Sequence, residues 1–331
     1  MPIKRAAVVG DGAMGTLCAM MLASRGVEVV LWSAFEEHAI ALADDRENKR
    51  FFPGYRFPDS LGVTADAEVA FKDVRLIISA VPCQYLRGVW QRVGGAVPDG
   101  VPIVSVSKGI EVGTLLRPTQ IIAQFAPLSP PACLSGPNIA SEIAAQKPAG
   151  AVAAADDEAV AVIVQQALST PNYRIYTNED LLGVELAGAT KNVIAIAAGI
   201  CDGIEGGCNA KASLITRGLV EITRLGVALG ARAETFQGLA GVGDLITTCI
   251  SPVGRNRTAG EKIGLGLPVQ KVIDSTPSVI EGIPTTRSVL QLAVNVGVEM
   301  PITQAIGEVL FEDKSPSQAI SQLMTRQLRS E

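Results

Sequence analysis

The first half of the chain alternates short apolar runs with longer stretches that have helical spacing. The apolar runs lie at residues 6–9, 27–32, 76–81, 102–106, 149–155 and 173–176, and a further run begins at 133. Their length and continuous apolarity are typical of strands that are buried on both faces of a parallel sheet. Strands that alternate with helices in this way predict an α/β domain with a doubly wound sheet.

The pattern changes near residue 178. Beyond it come long stretches with helical spacing and almost no strand signal. We therefore predict a sheet-containing domain over 1–178 and an all-α domain over 179–331, with Asn178 as the N-cap of the first helix of the second domain. The stretch Arg46 to Asp59 mixes polar, aromatic, glycine and proline residues, and it is predicted to be an irregular connection.

A glycine-rich turn follows the first predicted strand. Gly10, Gly12 and Gly15 form the pattern G-x-G-x-x-G between that strand and an apolar helix, within a βαβ unit. This context is typical of a Rossmann-like dinucleotide site, where a pyrophosphate approaches the glycine backbone and the helix N-terminus. Ser33 stands where an NAD-binding site usually has an acid, which favours NADP over NAD. The side chain of Asp11 is expected to point to solvent.

Polar residues follow two other predicted strands. Lys108 comes after the strand at 102–106, and Ser135 to Asn138 form the turn after the strand that begins at 133. Ligands of doubly wound sheets bind beyond the carboxyl ends of the strands. We therefore expect this lysine and this turn to lie near a bound ligand, although a lysine at a strand end is also a common surface charge.

A single lysine interrupts the most apolar helical stretch of the second half. Leu186 to Cys201 reads LAGATKNVIAIAAGIC, and Lys191 is its one charged residue. Burial disfavours the ammonium form and lowers the pKa of a lysine, which is what a general base needs near neutral pH. The alternative is a lysine whose stem is buried while its amine reaches water.

Composition excludes several classes of function. The net charge is −5 and no basic block occurs, so a nucleic-acid partner is not expected. Six cysteines occur without a C-x-x-C pair and beside one histidine, so no metal site is expected. We find neither a signal-peptide core nor an apolar run of about 20 residues, which predicts a cytoplasmic protein without a membrane span.

Several short motifs of the chain resemble one family when they are taken in order. They are Ser107-Lys108-Gly109, Ser135-Gly136-Pro137, Ala189-Thr190-Lys191-Asn192-Val193, Leu214-Ile215-Thr216-Arg217-Gly218, Gly243-Asp244-Leu245 and Arg255-Asn256-Arg257. The set is similar to NAD(P)-dependent glycerol-3-phosphate dehydrogenase of the bacterial and organellar type, over nearly the whole chain. The resemblance implies interconversion of sn-glycerol 3-phosphate and dihydroxyacetone phosphate, which supplies glycerol 3-phosphate for phospholipid synthesis. It also implies a homodimer.

The resemblance also implies roles for individual residues. Lys191 would be the base that exchanges a proton with the C2 hydroxyl, and Asn192, Asp244 and Thr248 would orient it or the substrate. The remaining implied substrate contacts are Lys108, Gly136, Asn138, Arg255 and Asn256. The implied cofactor contacts are Gly10, Gly12, Ala13, Met14, Gly15, Ser33, Lys108, Ala140, Arg255, Val279 and Glu281.

The sequence departs from the family pattern at three positions. Asn138 replaces the usual Ser or Thr, Gly254 replaces the usual Ser, and Asp11 replaces a small residue. Other readings stay open: a 3-hydroxyacid, 6-phosphogluconate or ketopantoate type dehydrogenase, a mechanism with Cys201 or Cys249 as nucleophile, and a non-catalytic NADP(H) sensor.

Overall fold

The computed structural model describes residues 3–276 and 278–327. The chain forms two compact units, of which the first comprises Met1–Lys108 and Arg117–Leu181 and the second comprises Gly109–Leu116 and Leu182–Glu331. The segment Gly109–Leu116 thus groups with the second unit, although the sequence analysis assigned it to the first domain. Ile110 gives the reason, because its side chain is fully buried in the second core and its carbonyl accepts a hydrogen bond from Ser288 Oγ at 3.0 Å.

The first unit alternates strands and helices. Its strands are β1 (Arg5–Val9), β2 (Glu28–Trp32), β3 (Glu47–Asn48), β4 (Phe52–Arg56), β5 (Leu61–Thr64), β6 (Ile77–Ser79), β7 (Ile103–Ser105), β8 (Pro131–Ser135), β9 (Ala149–Ala154) and β10 (Tyr173–Asn178). Its helices are α1 (Ala13–Ser24), α2 (Glu36–Asp45), α3 (Ala67–Phe71), α4 (Leu86–Val93), α5 (Pro118–Ala123), α6 (Ala140–Ala144) and α7 (Glu158–Leu168).

Eight of these strands form one sheet, in the order β10-β9-β8-β7-β6-β1-β2-β5. Neighbouring strands from β8 to β5 are parallel, whereas β9 pairs antiparallel with β8 and β10 follows β9 in parallel. The chain leaves β1 for β2 on one side and later fills the other side with β6. The carboxyl end of β1 is therefore the point where strand order reverses, which is where doubly wound sheets bind ligands. The predicted Rossmann-like α/β class is confirmed.

The prediction of an irregular connection over 46–59 is wrong. The segment contains the antiparallel pair β3 and β4, which forms a second small sheet. Arg46 turns the chain into this hairpin with a left-handed φ of 53°. Phe52 and Phe57 are 4% and 3% exposed in the core of the first unit. The two buried rings hold the hairpin in place. The glycine and proline residues of the segment led to the prediction of a loop.

The second unit is helical. Its helices are α8 (Leu181–Gly203), α9 (Gly207–Ala228), α10 (Ala233–Gln237), α11 (Asp244–Ile250), α12 (Arg255–Gly264), α13 (Val269–Asp274), α14 (Gly282–Val296), α15 (Pro301–Phe311) and α16 (Pro316–Met324), with a π-helical turn at Leu239–Gly243. Asn178 is the last residue of β10 and not a helix N-cap. Its Oδ1 accepts a hydrogen bond from Asp180 N at 2.7 Å, in the turn that leads into α8.

The core of the second unit is built around α8. Ile194, Ala195 and Ile196 are fully buried, as the apolar sequence of this helix predicts. Within the described part of the chain, α8 is the one helix that is long and apolar enough to cross a membrane. However, 94% of its most apolar 18-residue window is buried inside the protein, as in the central helix of a packed domain.

The helices α8 and α12 pack backbone against backbone through glycines four residues apart. A Cβ on Gly199 would lie 1.9 Å from Arg257 O, and a Cβ on Gly260 would lie 2.1 Å from Ile196 O. Gly203 and Gly264 form the next level of the same contact, where a Cβ would lie 2.3 Å from Glu261 O or 2.6 Å from Ile200 O. Only glycine permits this approach. It fixes α12 relative to the last two turns of α8.

Candidate active site

The three glycines of the first turn each serve a separate purpose. Gly10 has a φ of 105°, and a Cβ there would lie 2.9 Å from Ala80 O. A Cβ on Gly15 would lie 2.0 Å from Gly10 O, so this glycine lets α1 pack against the turn. No heavy atom of the described residues would lie within 4 Å of a Cβ on Gly12. The open space in front of Gly12, beside the N-terminus of α1, fits the approach of a pyrophosphate to the backbone.

Asp11 is held between this turn and the end of β2. Ser33 Oγ donates a hydrogen bond to Asp11 Oδ2 at 2.9 Å, and Asn48 Nδ2 donates to Asp11 O at 2.6 Å. Asn48 Nδ2 also lies 2.8 Å from Thr16 Oγ1, and both of these residues are buried. The Asp11 side chain was expected to point to solvent; it is of intermediate exposure, and the Ser33 hydroxyl binds one of its carboxylate oxygens.

The residues that follow the neighbouring strands β7 and β8 lie together. Lys108 Nζ donates to Gly136 O at 2.9 Å. Gly136 has a φ of 132°, and a Cβ there would lie 2.9 Å from Ala151 Cα, so the turn requires glycine. Tyr173 Oη donates to Asn138 Oδ1 at 2.9 Å. This bond uses the amide oxygen of Asn138 and leaves its NH₂ group for other acceptors.

Lys191 lies in a buried polar cluster with two residues of α11. Its Nζ donates hydrogen bonds to Asp244 Oδ1 and, at 2.5 Å, to Thr248 Oγ1. The side chains of Lys191 and Asp244 are 7% and 2% exposed. Asp244 and Thr248 are four residues apart on α11, so they lie on one face of that helix. The π-helical turn before α11 contains Gly241, where a Cβ would lie 2.1 Å from Phe236 O, and this close contact fixes where α11 begins.

The surroundings of the amine act on its charge in opposite directions. Burial of Lys191 favours the neutral amine, whereas the carboxylate of Asp244 favours the ammonium ion. The sequence analysis considered only the effect of burial on the charge of Lys191. The structure adds this carboxylate, so Lys191 is placed to hold a proton as well as to release one.

Asn192 and Asn256 connect α8, α12 and α14. Asn256 Nδ2 donates to Asn192 Oδ1 at 3.0 Å, and Asn256 Oδ1 accepts from Gly282 N at 2.9 Å. Asn256 is 8% exposed. One N–H of its amide therefore remains for a ligand, and its other contacts hold Glu281 and Gly282 beside the middle of α8. A part of the role expected of Asn256 is thus to position the chain.

Arg255 and Arg257 have different surroundings although they lie two residues apart. Arg257 donates to Asp202 Oδ2 at 2.7 Å and pairs with Glu261 Oε2 at 3.2 Å, which makes it part of the α8–α12 contact. Arg255 is exposed at the first position of α12. Its N-cap, Gly254, has no side chain, so among the described residues no side-chain cap competes for the first N–H groups of α12.

The other predicted cofactor residues are at the starts of elements. Ala13 and Met14 are the first residues of α1, and Ala140 is the first residue of α6. Glu281 is the N-cap residue of α14, and Val279 precedes it by two positions. Each is part of a helix entry, where backbone N–H groups are available to an anion.

The two cysteines considered as nucleophiles do not have reactive surroundings. Burial raises the pKa of Cys249 to about 12. Burial, and then the charge of Asp202, raises the pKa of Cys201 above its usual value. A thiolate is the nucleophilic form, so neither residue is prepared for nucleophilic attack at neutral pH.

The Rossmann-like sheet, the open glycine turn and the buried lysine cluster together define the class of a dinucleotide-dependent dehydrogenase. Two family models match the chain. The NAD-dependent glycerol-3-phosphate dehydrogenase N-terminus matches residues 5–161, and the C-terminus of the same family matches residues 180–321. The chain belongs to the NAD-dependent glycerol-3-phosphate dehydrogenase family. The resemblance inferred from the sequence motifs is confirmed.

Individual relatives agree with the family models over the full length. The chain is 44% identical over 331 residues to glycerol-3-phosphate dehydrogenase [NAD(P)+] of Citrifermentans bemidjiense, with 99% of each chain covered. It is 45% identical to the protein of the same name from Streptomyces coelicolor, with 100% of this chain and 98% of the relative covered. The crystal structure of glycerol-3-phosphate dehydrogenase from Coxiella burnetii superposes with a TM-score of 0.93 at 35% identity and covers 98% of this chain and 99% of that one.

Proposed function

We propose that this enzyme interconverts sn-glycerol 3-phosphate and dihydroxyacetone phosphate with NAD or NADP as its cofactor, and that Lys191 is its acid–base group. The observation that carries the proposal is the buried cluster of Lys191, Asp244 and Thr248. A secondary alcohol can lose a hydride only when its hydroxyl proton is also removed, so the reaction needs a proton acceptor beside the carbinol. The bound nicotinamide supplies the hydride chemistry itself.

Lys191 is suited to both directions of the reaction. During oxidation its neutral amine takes the proton of the C2 hydroxyl, and during reduction its ammonium ion returns a proton to the C2 oxygen. Asp244 and Thr248 hold the amine at one place in both states, because Asp244 Oδ1 accepts from Lys191 Nζ and Thr248 Oγ1 lies 2.5 Å from it. Asn192 is held by Asn256 and takes a substrate-orienting role beside the lysine.

The phosphate of the substrate is assigned to the start of α12. Arg255 provides planar charge-assisted donors, and the first N–H groups of α12 point at the same end of the helix. The remaining N–H of Asn256 adds a donor there. Lys108, Gly136 and Asn138 are proposed as the substrate contacts of the first unit. The dinucleotide contacts are proposed to be the glycine turn, with Ala13, Met14 and Ser33, together with Ala140, Arg255, Val279 and Glu281.

The proposal includes the organisation of the chain. Residues 1–178, apart from Gly109–Leu116, would form the dinucleotide-binding domain, and residues 179–331 the helical domain that carries Lys191. We further propose a cytoplasmic homodimer that supplies glycerol 3-phosphate for phospholipid synthesis. Analytical ultracentrifugation tests the dimer, because it measures the molecular mass and a monomer would have the mass of one 34.5 kDa chain.

A spectrophotometric assay tests the activity. Purified protein is mixed with dihydroxyacetone phosphate and either NADH or NADPH, and the loss of reduced cofactor is followed. Ketopantoate and a 3-oxo acid are tested in parallel for reduction, and 6-phosphogluconate is tested for oxidation with NAD or NADP, where the formation of reduced cofactor is followed. Turnover confined to dihydroxyacetone phosphate supports the proposal. Preferred turnover of another substrate favours the related dehydrogenase types, and cofactor binding without any turnover favours a sensor.

A further inference from the structure

A carboxylate from the glycine turn lies at the end of β2, where the sequence itself has a serine. In Rossmann-like sites an acid at the end of the second strand binds the ribose hydroxyls of NAD and repels the 2′-phosphate of NADP. Here that position is Ser33, which is fully buried. Its hydroxyl donates to Asp11 Oδ2 at 2.9 Å, so the carboxylate of the glycine turn lies beside the strand end.

We propose that Asp11, held by Ser33, takes the role of the missing β2 acid and makes this enzyme prefer NAD(H) to NADP(H). This inference rests on the proposed function, because it concerns the choice of cofactor at the same site. It reverses the preference for NADP drawn from Ser33 alone. That interpretation treated Asp11 as solvated, whereas its carboxylate is fixed at the place that decides the preference.

Both the carboxylate and the backbone of Asp11 are held by hydrogen bonds. Asn48 Nδ2 donates to the backbone oxygen of Asp11 at 2.6 Å and fixes the main chain at this residue. Asn48 is 2% exposed, and its amide nitrogen also lies 2.8 Å from Thr16 Oγ1. Ser33 occupies Oδ2 of Asp11 and leaves Oδ1 to accept from the hydroxyls of a ribose. A carboxylate held in this way is preorganised for NAD.

The surrounding charges favour the same choice. Glu36 and Glu37 form the first turn of α2, directly after the end of β2. Arg92 is a cation near this site, because it donates to Ala34 O at 3.1 Å and its guanidinium lies 5.4 Å from the centre of the Trp32 ring. Arg92 is thus already engaged with a carbonyl and an aromatic face. A 2′-phosphate would be repelled by the carboxylate of Asp11, and Arg92 would have to leave its present contacts to bind it.

The experiment measures the dissociation constants of NADH and NADPH by isothermal titration calorimetry in the absence of substrate, together with kcat/KM for each cofactor. We expect the wild-type enzyme to bind NADH about tenfold or more tightly than NADPH. Asp11→Asn keeps the size of the side chain and an acceptor for Ser33, and it should reduce this ratio at least several-fold. Ser33→Ala should reduce the ratio less, because it frees the carboxylate without removing it.

Asp156→Asn is the matched control, since it also removes one negative charge. Asp156 is exposed after β9, which lies five strands from β2 and runs in the opposite direction. The distance across the sheet is about 24 Å, well beyond the screening length of roughly 8 Å. The ratio should therefore stay at the wild-type value in this variant.

Three results would overturn the inference: a wild-type ratio near one, a preference for NADPH, or an unchanged ratio in Asp11→Asn. A preference for NADPH that Arg92→Ala abolishes would show that Arg92 binds a 2′-phosphate in spite of Asp11. These outcomes are distinct from failure of the proposed function. In that case the reduced dinucleotides either fail to bind at all or bind without turnover of dihydroxyacetone phosphate.

Discussion

Lys191 in the middle of α8 and Asp244 at the first position of α11 form a hydrogen-bonded ion pair that is almost completely buried. A buried pair of this kind contributes little net stability, because both charges lose their hydration. Removing one partner is costly, since the other charge stays in the interior without the ion pair that compensates its lost hydration. The pair is better explained by function, because it holds at a fixed place an amine that can exchange a proton.

The roles of Lys191 in stability and in catalysis can be separated by a double-mutant cycle. Lys191→Met and Asp244→Asn should each lower stability by about 3 kcal/mol or more, because each removes one partner of a buried ion pair. The double variant should recover much of that loss, since neither charge remains. Turnover should fall by orders of magnitude in Lys191→Met and should stay low in the double variant, while NADH still binds.

Thermal unfolding, calorimetric titration with NADH and steady-state rates provide the three measurements for this cycle. Lys191→Ala should give the same loss of turnover as Lys191→Met. Near-normal turnover in either variant would rule out Lys191 as the acid–base group. Additive stability losses in the double variant would mean that the two side chains do not depend on each other.

Arg255 and Arg257 should separate substrate binding from structure. Arg255→Ala removes charge-assisted donors at an exposed helix start, so KM for dihydroxyacetone phosphate should rise about 10- to 100-fold with a smaller change in the melting temperature. Arg257→Ala removes an ion pair with Asp202, which also pairs with Lys211, and an ion pair with Glu261, so its main effect should be a lower melting temperature. Steady-state kinetics and thermal unfolding of both variants check this. An unchanged KM in Arg255→Ala would contradict the phosphate-binding role.

The sequence predicted the fold well where a single local pattern decides the structure. The strands of the main sheet are short apolar runs whose burial on both faces removes any polar alternation, and the glycine turn identifies the first of them. The hairpin at 46–59 escaped prediction because Phe52 and Phe57 are anchored by a core that is distant in sequence. The same holds for Gly109–Leu116, which joins the second unit because Ile110 is buried there.

The candidate site was predictable as a set of residues but not as a set of contacts. The motifs identified Lys191 and Asp244 as candidates. No local pattern indicates that their side chains, 53 positions apart in sequence, form a hydrogen bond. Asp11 is the clearest example. Its partner Ser33 lies 22 positions further on, at a strand end that only the assembled sheet brings beside the glycine turn. The spacing G-x-x-x-G in α8 and in α12 was the one unused signal that indicated their close packing.

That packing gives a prediction for glycine substitutions. Gly260→Ala should destabilise the protein by about 1 to 3 kcal/mol and raise KM for the phosphorylated substrate, because the new Cβ would press on Ile196 O and move the start of α12. Gly88→Ala is the control. Gly88 is exposed within α4, and no heavy atom of the described chain lies within 4 Å of a Cβ there. It should raise stability by roughly 0.5 to 1 kcal/mol.

Melting temperatures and substrate KM values of the two alanine variants check this contrast. The change in melting temperature should be negative for Gly260→Ala and positive for Gly88→Ala, although the chemical change is the same. Equal effects at Gly260 and Gly88 would mean that α8 and α12 are not packed backbone to backbone in solution.

Two carboxylates of opposite behaviour at α15 give a prediction for pH. Glu221 of α9 is 5% exposed and accepts from the backbone N–H groups of Ile302 and Thr303, at 2.7 and 3.2 Å. Burial raises the pKa of Glu221, although these hydrogen bonds oppose the shift. By contrast, hydrogen bonds from Lys314 and then Gln304 lower the pKa of Glu308.

The signs follow from linkage between protonation and folding. A raised pKa in the folded state gives stability that is fully present below the unfolded value, about 4.3 for Glu, and is lost as pH rises through the folded value. A lowered pKa gives stability that is present above the unfolded value and is lost as pH falls through the folded one. Wild type should therefore gain stability relative to Glu221→Gln as pH falls from about 7 to 5. Relative to Glu308→Gln it should lose stability as pH falls from about 5 towards 3.

Melting temperatures of wild type and the two variants across this pH range provide the measurement, because the difference between wild type and each variant isolates one carboxyl group. For Glu221 the melting temperature of wild type minus that of the variant should increase as pH falls, because burial raises its pKa. The opposite slopes of the two differences distinguish these groups from a general effect of pH on the fold. A flat difference for Glu221 would mean that the hydrogen bonds from Ile302 and Thr303 fully offset its burial, which contradicts a raised pKa.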